Sequence, residues 1–378
     1  MKKSCFIFLL IVLSSCSVRD KQLDVKNTTS CELDLVSTDT ILIPTDFSPI
    51  YTVFKNQKIG EDYYHIGYNE NREKLEFINL TTKEADQALT IDFSTIDRVG
   101  ISEVNDFIVQ DLSSIIVISE MAIYQINSAG KLIQKWLINR IDSPIKGIDF
   151  SQYTLSPNEN CPAYFDKKRN LIYLRVRSLV YSQFDFDYFK IPIIGVVDLN
   201  TNEGKLLPVY YPEYMTKEKY GFAHRPRFTF NVNQLMVGFD NQSDCILYDL
   251  NEQTLNEIHI PTIGAPNKAN TLKGPNDPIV MMEHSEVNSS FWINIYDFNN
   301  NQYFRPFFAP RGSTRTYGRG DLYLSIWSLD KKNIKETKIP SYFNPHRYFL
   351  NSDGIGFKNM KESTDDYLII NYLNDKCK

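Results

Sequence analysis

The chain has 378 residues, with 41 Lys and Arg against 46 Asp and Glu and five His, giving a formal net charge of −5. That balance excludes the strongly basic surface on which nucleic-acid binding depends. With 23 Tyr, 24 Phe and abundant Ile, Val and Thr, the composition favours pleated sheets over helices, and a body of about 360 residues can form one large all-β domain.

The opening "MKKSCFIFLLIVLSSC" places Lys2 and Lys3 before the apolar run 6–13, followed by two serines and Cys16, which is the layout of a secretory signal. The run is too short to span a bilayer. Leu13-Ser14-Ser15-Cys16 resembles the bacterial lipobox, in which the peptide is cut before the cysteine and that sulfur is loaded with lipid. Cys16 is then the lipidation site, and acyl chains such as palmitate, at about 0.8 kcal/mol per buried methylene, hold the exported protein on a membrane without crossing it. Ser17, where an Asp would signal inner-membrane retention, favours the outer membrane of the cell envelope. Three segments follow: the signal peptide 1–15, the lipidated cysteine and a flexible polar tether 16–36, and a single folded domain 37–378. Removing Lys2 and Lys3 takes the 41 basic residues to 39, a net charge of −7.

Strand signals then run in chain order. Residues 40–44, "TILIP", read as a strand without a partner at the beginning of the fold. Residues 51–54 and 63–67 precede a hairpin from Leu75, "LEFINLTTKEADQALTI"; 106–110 and 115–119 precede one from Ala122, "AIYQINSAGKLIQKWLI". The pattern recurs with 162–165 and 171–177 before "IGVVDLNTNEGKLLPVY", and with 227–231 and 234–239 before "CILYDLNEQTLNEIHIP". A fifth copy has 292–297 and 302–308 before "LYLSIWSLDKKNIKETKIP". In each, an alternating strand runs into Asn, Asp, Gly, Ser or Lys and returns.

A four-stranded antiparallel unit recurring every 40 to 50 residues or so is the signature of a β-propeller. The sixth unit has only three strands, at 347–350, 354–357 and 367–373, with "NSDGIGF" as one turn. Residues 40–44 supply its fourth. The expected fold is therefore an all-β, six-bladed propeller closed by pairing the N-terminal strand with the C-terminal blade, which leaves no open edge between the ends.

The succession from "DTILIP" through "VNDFIVQDLSSIIVISEMAIYQINSAGKLIQKW" to "LSIWSLDKKNIKETKIPSYFNPHRYFLNSDGIGF" resembles a family of uncharacterised lipoproteins of anaerobic Gram-negative bacteria. The resemblance implies a six-bladed propeller of the TolB or NHL-like type on the cell envelope. It brings no catalytic signature.

Ring closure would carry Cys31 towards Cys377 in a compartment where disulfides form, so these two are a candidate pair, provided their Cα atoms come within about 7 Å. No Cys-x-x-Cys occurs, and His65, His224, His259, His284 and His346 are scattered singly, so neither a metal nor another cofactor is expected.

Within a blade, the connections inside the two hairpins share one face of the ring and the remaining connections share the other. The second face receives the long segments 139–160, 178–192, 210–226, 261–291 and 309–320, and long loops on a rigid scaffold carry function. Two of them concentrate cations: "YGFAHRPR" with Tyr220, His224, Arg225 and Arg227, and "FFAPRGSTRTYGRG" with Arg311, Arg315, Tyr317 and Arg319. Guanidinium forks of this kind bind carboxylate, sulfate or phosphate. Aromatics at 181, 184, 186, 188, 189, 210, 211, 214, 220 and 222 are a candidate wall for a sugar or peptide.

No nucleophile elbow, His-Glu-x-x-His, phosphate-cradling Gly-rich loop or sialidase-type Asp-box is present. The expectation is a non-enzymatic, membrane-anchored module that binds a ligand or protein, with an acidic glycan or an envelope protein as its partner. Two alternatives stand beside it: a lactonase-like or glycan-cleaving enzyme with its site in the central funnel, and an architectural subunit of an envelope complex.

Overall fold

In the strand Leu171–Ser178, Ile172, Leu174 and Val176 are buried on one side and Tyr173 on the other. A sheet apolar on both faces needs cover on both. In the computed structural model, which describes residues 23–24, 27–30, 34–48, 51–93, 104–119, 122–137, 153–312, 318–329 and 333–374, that cover comes from other sheets standing on either side.

Six antiparallel sheets form the ring, each with its first strand innermost. Blade 1 consists of Val53–Ile59, Asp62–Asn69 and Lys74–Asn79, with two short outer pieces, Glu84–Ala85 and Ile91–Asp92. Blade 2 is Asp106–Asp111, Ser114–Ile118, Ala122–Ile126 and Leu132–Leu137. In blade 3, Tyr153–Leu155 and Tyr164–Asp166 lie along Leu171–Ser178, followed by Ile194–Asp198 and Glu203–Leu206. Blade 4 is Pro226–Asn231, Gln234–Phe239, Gln242–Asp249 and Leu255–His259. Blade 5 has a divided first strand, Ser290–Phe291 and Ile295–Asp297, then Gln302–Phe308, Leu322–Trp327 and Asn333–Ile339. Blade 6 is Phe343–Asn351, Gly354–Asn359 and Tyr367–Asn374, completed by Asp34–Leu42.

The closing pair is the one expected, though longer: Asp34–Leu42 runs antiparallel to Tyr367–Asn374 from Leu42 opposite Tyr367 to Asp34 opposite Asn374. Upstream of it, Leu23–Asp24 adds in parallel to Leu255–His259, and Asn27–Ser30 to Asn333–Ile339. The segment read from sequence as a flexible tether thus supplies fifth strands to blades 4 and 5. The outer strands of those blades otherwise present unpaired N–H and C=O groups, which the backbone of the added strands satisfies. Cys16, Cys31 and Cys377 lie outside the described residues.

The core is divided into the seams between blades. Phe77 and Ile66 of blade 1 pack with Phe107 and Val117 of blade 2, and Ile116 and Ile118 of blade 2 with Ile172 and Leu174 of blade 3. The other face of blade 3 meets blade 4 through Tyr173, Val196, Phe228 and Val237. Met236 and Leu247 reach Tyr303 and Trp327, and Leu324 reaches Ile355 and Phe357. The last seam joins Ile41, Ile370 and Tyr372 of blade 6 to Phe54 and Ile78 of blade 1. Closure is therefore a hydrophobic interface as well as a hydrogen-bond ladder.

The turn in "NSDGIGF" forms as read: Asn351 pairs with Gly354, whose φ of 120° suits glycine, and the Asn351 side chain accepts from Asp353 N at 2.8 Å. On the long-loop face the structure adds what the sequence reading treated as loop. Short 3-10 turns occupy Phe186–Lys190, Glu213–Thr216 and Gly221–His224, and an α-helix spans Pro278–Val287. Asp277 caps that helix by accepting from Ile279 N and Val280 N, with Pro278 in the first turn. Among the described residues no helix is long and apolar enough to cross a membrane.

Candidate functional site

Three of the innermost strands are interrupted where they enter the ring from the long-loop face. In blade 3 the chain leaves the sheet between 155 and 164 and turns tightly, with Asn158 accepting from Asn160 N and Cys161 N at 3.0 and 3.1 Å. In blade 5 the first strand stops at Phe291 and resumes at Ile295. In blade 6 the register jumps between Asn344 and Tyr348, so Pro345, His346 and Arg347 leave the ladder. Pro345 has no N–H to give that ladder, and a bulge there re-aims its neighbours.

These breaks bring Glu159, Asn160, Arg227, Trp292, Asn344, His346, Arg347 and Phe54 around a cavity of about 250 Å³. Contributed by blades 1, 3, 4, 5 and 6, the residues define the mouth of the central funnel. Further along the channel, Lys55 Nζ meets Asp106 Oδ2 at 2.8 Å, and the same oxygen accepts from Ala163 N at 2.5 Å, tying blades 1, 2 and 3 together.

Arginines dominate the mouth. Arg227 is buried and binds Asp240 through Nε and Nη2 at 2.5 and 2.7 Å, while Nη1 donates to Asn160 Oδ1. Its guanidinium lies 5.7 Å over the Trp292 ring, and that of Arg319 lies 5.4 Å over the same ring, with Nη1 3.0 Å from Ser290 Oγ. Arg347 sits 5.3 Å over Phe54 and Arg225 5.2 Å over Phe222. Aromatic faces thus hold the guanidiniums flat, while Asp240 and Asn160 take the Arg227 N–H groups.

Trp292 and His346 occupy the centre of this group, with ring centroids 3.4 Å apart. Among the described residues the indole Nε1 of Trp292, although buried, has no hydrogen-bond partner. Beneath it, Arg305 is 1% exposed and donates to the carbonyls of Trp292, Phe239, Gln242 and Ser243, fixing the tryptophan's backbone against the second-to-third-strand turn of blade 4. His346 is exposed at the cavity, while the protein around it keeps part of its ring from water. That desolvation, with the charges of Arg227, Arg319, Arg347 and Arg225, pushes its pKa down to about 3. Burial also lowers Arg319 and Arg347 from their ordinary values, against the opposing pull of Asp240 on Arg319 and of Glu159 on Arg347. The site is a concentration of positive charge in an acidic protein.

Of the residues singled out from sequence, Arg225, Arg227 and Arg319 do converge here. Arg311 does not: it binds Glu286 at 2.7 Å and approaches Glu283 at 3.7 Å, fastening its loop to the α-helix. Tyr220 is buried with its hydroxyl at Glu218 Oε2, at 2.5 Å. The ring of His224 donates Nδ1–H to the Gly221 carbonyl and packs against Phe184 and Phe189. Both are corrected from ligand candidates to loop core, because the segment 210–226 folds back on its aromatics instead of presenting them. The same applies to Tyr188, Phe189 and Tyr211, whereas Tyr181, Phe186 and Tyr210 remain exposed. Arg315 and Tyr317 lie outside the described residues. Sequence reading missed Trp292, His346 and Arg347 as site residues. The signal that would have found them is the proline in "NPHR", set where an inner strand was expected to begin.

Among the described residues no group of three or more His, Cys, Asp or Glu is placed to hold a metal ion. Cys161 and Cys245 are buried thiols, the first accepted by the Pro226 carbonyl at 3.1 Å and pushed up to about 11 by burial.

A family model described as "Domain of unknown function (DUF4221)" matches residues 29–338. A crystal structure of a member of that family from Bacteroides vulgatus is 17% identical, with a TM-score of 0.74, covering 91% of this chain and 98% of that one. A putative exported protein from Bacteroides fragilis is 10% identical with a TM-score of 0.53, covering 93% and 99%. At these identities the likeness shows the shared fold alone. No curated protein matches the sequence.

Proposed function

The chain belongs to the DUF4221 family, and from that premise we propose that its propeller is an exported binding module whose funnel mouth captures the anionic group of a ligand. The observation that carries this reading is the meeting of Arg225, Arg227, Arg319 and Arg347 around Trp292 and His346. A wall of pre-positioned guanidiniums with an unpartnered indole N–H is suited to an oxyanion. An acidic sugar residue of a glycan is a fitting ligand, since its carboxylate enters the mouth while the rest lies across the long-loop face. Among the described lining residues Glu159 is the single carboxylate. Hydrolysis of a glycosidic bond calls for two, which favours capture over cleavage. The Leu13-Ser14-Ser15-Cys16 sequence supports attachment through lipid at Cys16 to the outer membrane, and the related protein from B. fragilis is described as a putative exported protein.

Calorimetric titration with glucuronate tests the reading. Arg347→Ala is expected to weaken binding by about tenfold or more, the worth of one charge-assisted contact, and to flatten the dependence on salt. Affinity and salt response equal to those of the unaltered protein would remove the funnel mouth as the site.

A further inference from the structure

The seam between blades 2 and 3 changes character at the end away from the long loops. On blade 2, Ile118 lies opposite Ile123 and Ile123 opposite Trp136, a row that packs against Ile172 and Leu174 of blade 3. Two residues nearer the short turns, the next row on the same face of the sheet reads Ile116, Gln125 and Gln134. The amides stand where the seam opens: Gln125 is half-buried and Gln134 exposed.

Two cavities of about 340 and 480 Å³ meet there, with Gln110, Phe165 and Lys167 in the walls of both. The first opens into the central channel beside Lys55 and Gln57 of blade 1, and the second runs outward over the glutamine row. Together they make a groove from the channel to the rim, each part within the size range of small-ligand sites. Four strands at about 4.8 Å spacing give its blade 2 part a length of roughly 14 Å, enough for a short oligosaccharide.

Its chemistry differs from that of the funnel mouth. Among the described residues no carboxylate lines the groove, and each of its two lysines faces an acid: Lys55 meets Asp106 at 2.8 Å and Lys167 meets Asp111 at 3.7 Å. Five amides remain in the outer part, those of Gln110, Gln125, Gln134, Asn170 and Asn200. Among the described residues the side chains of Gln110 and Gln134 make no hydrogen bond. Gln125 donates to Ser114 Oγ at 2.8 Å with its carbonyl unused, and Asn170 Nδ2 donates to Asn200 Oδ1 at 2.7 Å. An amide both gives and accepts hydrogen bonds, as a hydroxyl group does, and carries no charge. Trp136 spends its Nε1–H on the Leu199 carbonyl at 3.0 Å, so it offers the groove its ring alone, and Phe165 adds a second ring.

We propose that this groove, on the face opposite the long loops, is a second binding site that takes a neutral oligosaccharide. The amides answer the sugar hydroxyls, and the Trp136 and Phe165 rings cover the C–H faces between them. The site is separate from the funnel mouth and does not depend on anion capture there.

The test is titration of the full chain, labelled with 5-fluorotryptophan, with cellotetraose, maltotetraose, mannotetraose and xylotetraose, followed by calorimetry and fluorine NMR. At least one of the four is expected to bind, with a dissociation constant that changes less than about twofold between about 50 and 500 mM salt, since no ion pair forms. The fluorine signal assigned to Trp136 by its loss in Trp136→Phe should move, while those of Trp292 and Trp327 stay in place. Gln134→Ala, at an exposed position where the fold is not at stake, should weaken binding about fivefold, the worth of one neutral hydrogen bond. Excess glucuronate should not displace the tetrasaccharide. Failure of all four sugars to bind would overturn the proposal. So would binding that salt weakens or glucuronate displaces, or a shift of the Trp292 signal alone, which would put the sugar at the mouth. Calorimetry on the unaltered protein decides the matter even if Trp136→Phe fails to fold.

Discussion

Asp240→Ala is expected to lower the unfolding free energy by about 3–5 kcal/mol, the range found when one partner of a buried ion pair is removed. Arg227 is buried, and its Nε and Nη2 are both spent on this carboxylate. Alanine would leave a guanidinium facing the funnel with only Asn160 to receive it and Arg319 close enough to repel it. The backbone of residue 240 also joins blades, accepting from Phe291 N at 2.9 Å while its own N–H reaches the Arg225 carbonyl at 3.2 Å. Those contacts survive the substitution, so the loss reports the side chain. Urea denaturation followed by tryptophan fluorescence measures it, and a change of less than about 1 kcal/mol, the range of an exposed pair, would show that Arg227 is not buried as described.

Stability should also fall steeply with acid. His65 and His224 are buried, and burial is the leading cause that holds them at about 3 and about 4 respectively. His65 packs against Tyr51, Phe54 and Phe349 with Nδ1 at 3.0 Å from Asn56 Oδ1, and the Arg347 charge lowers it further. For His224 the Gly221 carbonyl works the other way without overcoming burial. Both rings are neutral in the folded chain and protonate near 6.5 in the unfolded one, so below that value the unfolded state binds more protons. The stability they contribute is complete above pH 6.5 and is lost as pH falls towards 4 and 3. Each costs about 1.4 kcal/mol per pH unit in that window, or about 4 kcal/mol for the two at pH 5 relative to pH 8. Urea midpoints taken from pH 8 to pH 5 check this, and a flat profile across that span would contradict neutral burial of the two rings.

The ring could be read from the chain because blades are built from period-two alternation. Ile172, Leu174 and Val176 alternate with Tyr173 and Arg175 as a strand requires, and five repetitions of the four-stranded unit point to a radial arrangement. Even the incomplete sixth unit pointed to its missing strand. What could not be read was anything decided by the third dimension. "YGFAHRPR" holds three cations within four residues, yet the turn Gly221–His224 buries His224 while Arg225 is exposed and Arg227, itself buried, lines the mouth. Arg311 and Arg319 stand eight residues apart in one loop, and only the helix bearing Glu286 determines that the first is neutralised. The α-helix itself escaped notice because its ten residues are too few for periodicity to declare itself, although Asp277 and Pro278 mark its start. His346 and Arg347 were placed at a strand entrance and passed over. Their role follows from the bulge at Pro345, and a proline within a strand pattern is the cue that deserved more weight.

The claim on which the functional account depends is that anions settle at the centre of the ring and not at its rim. A crystal of the protein soaked in selenate and measured at the selenium edge tests it directly. The account predicts the strongest anomalous peak in the funnel mouth, about 3 Å from the guanidiniums of Arg319 and Arg347 and beside the Trp292 indole nitrogen. An empty mouth with selenate bound elsewhere, at Arg311 or along the outer loops, would contradict it.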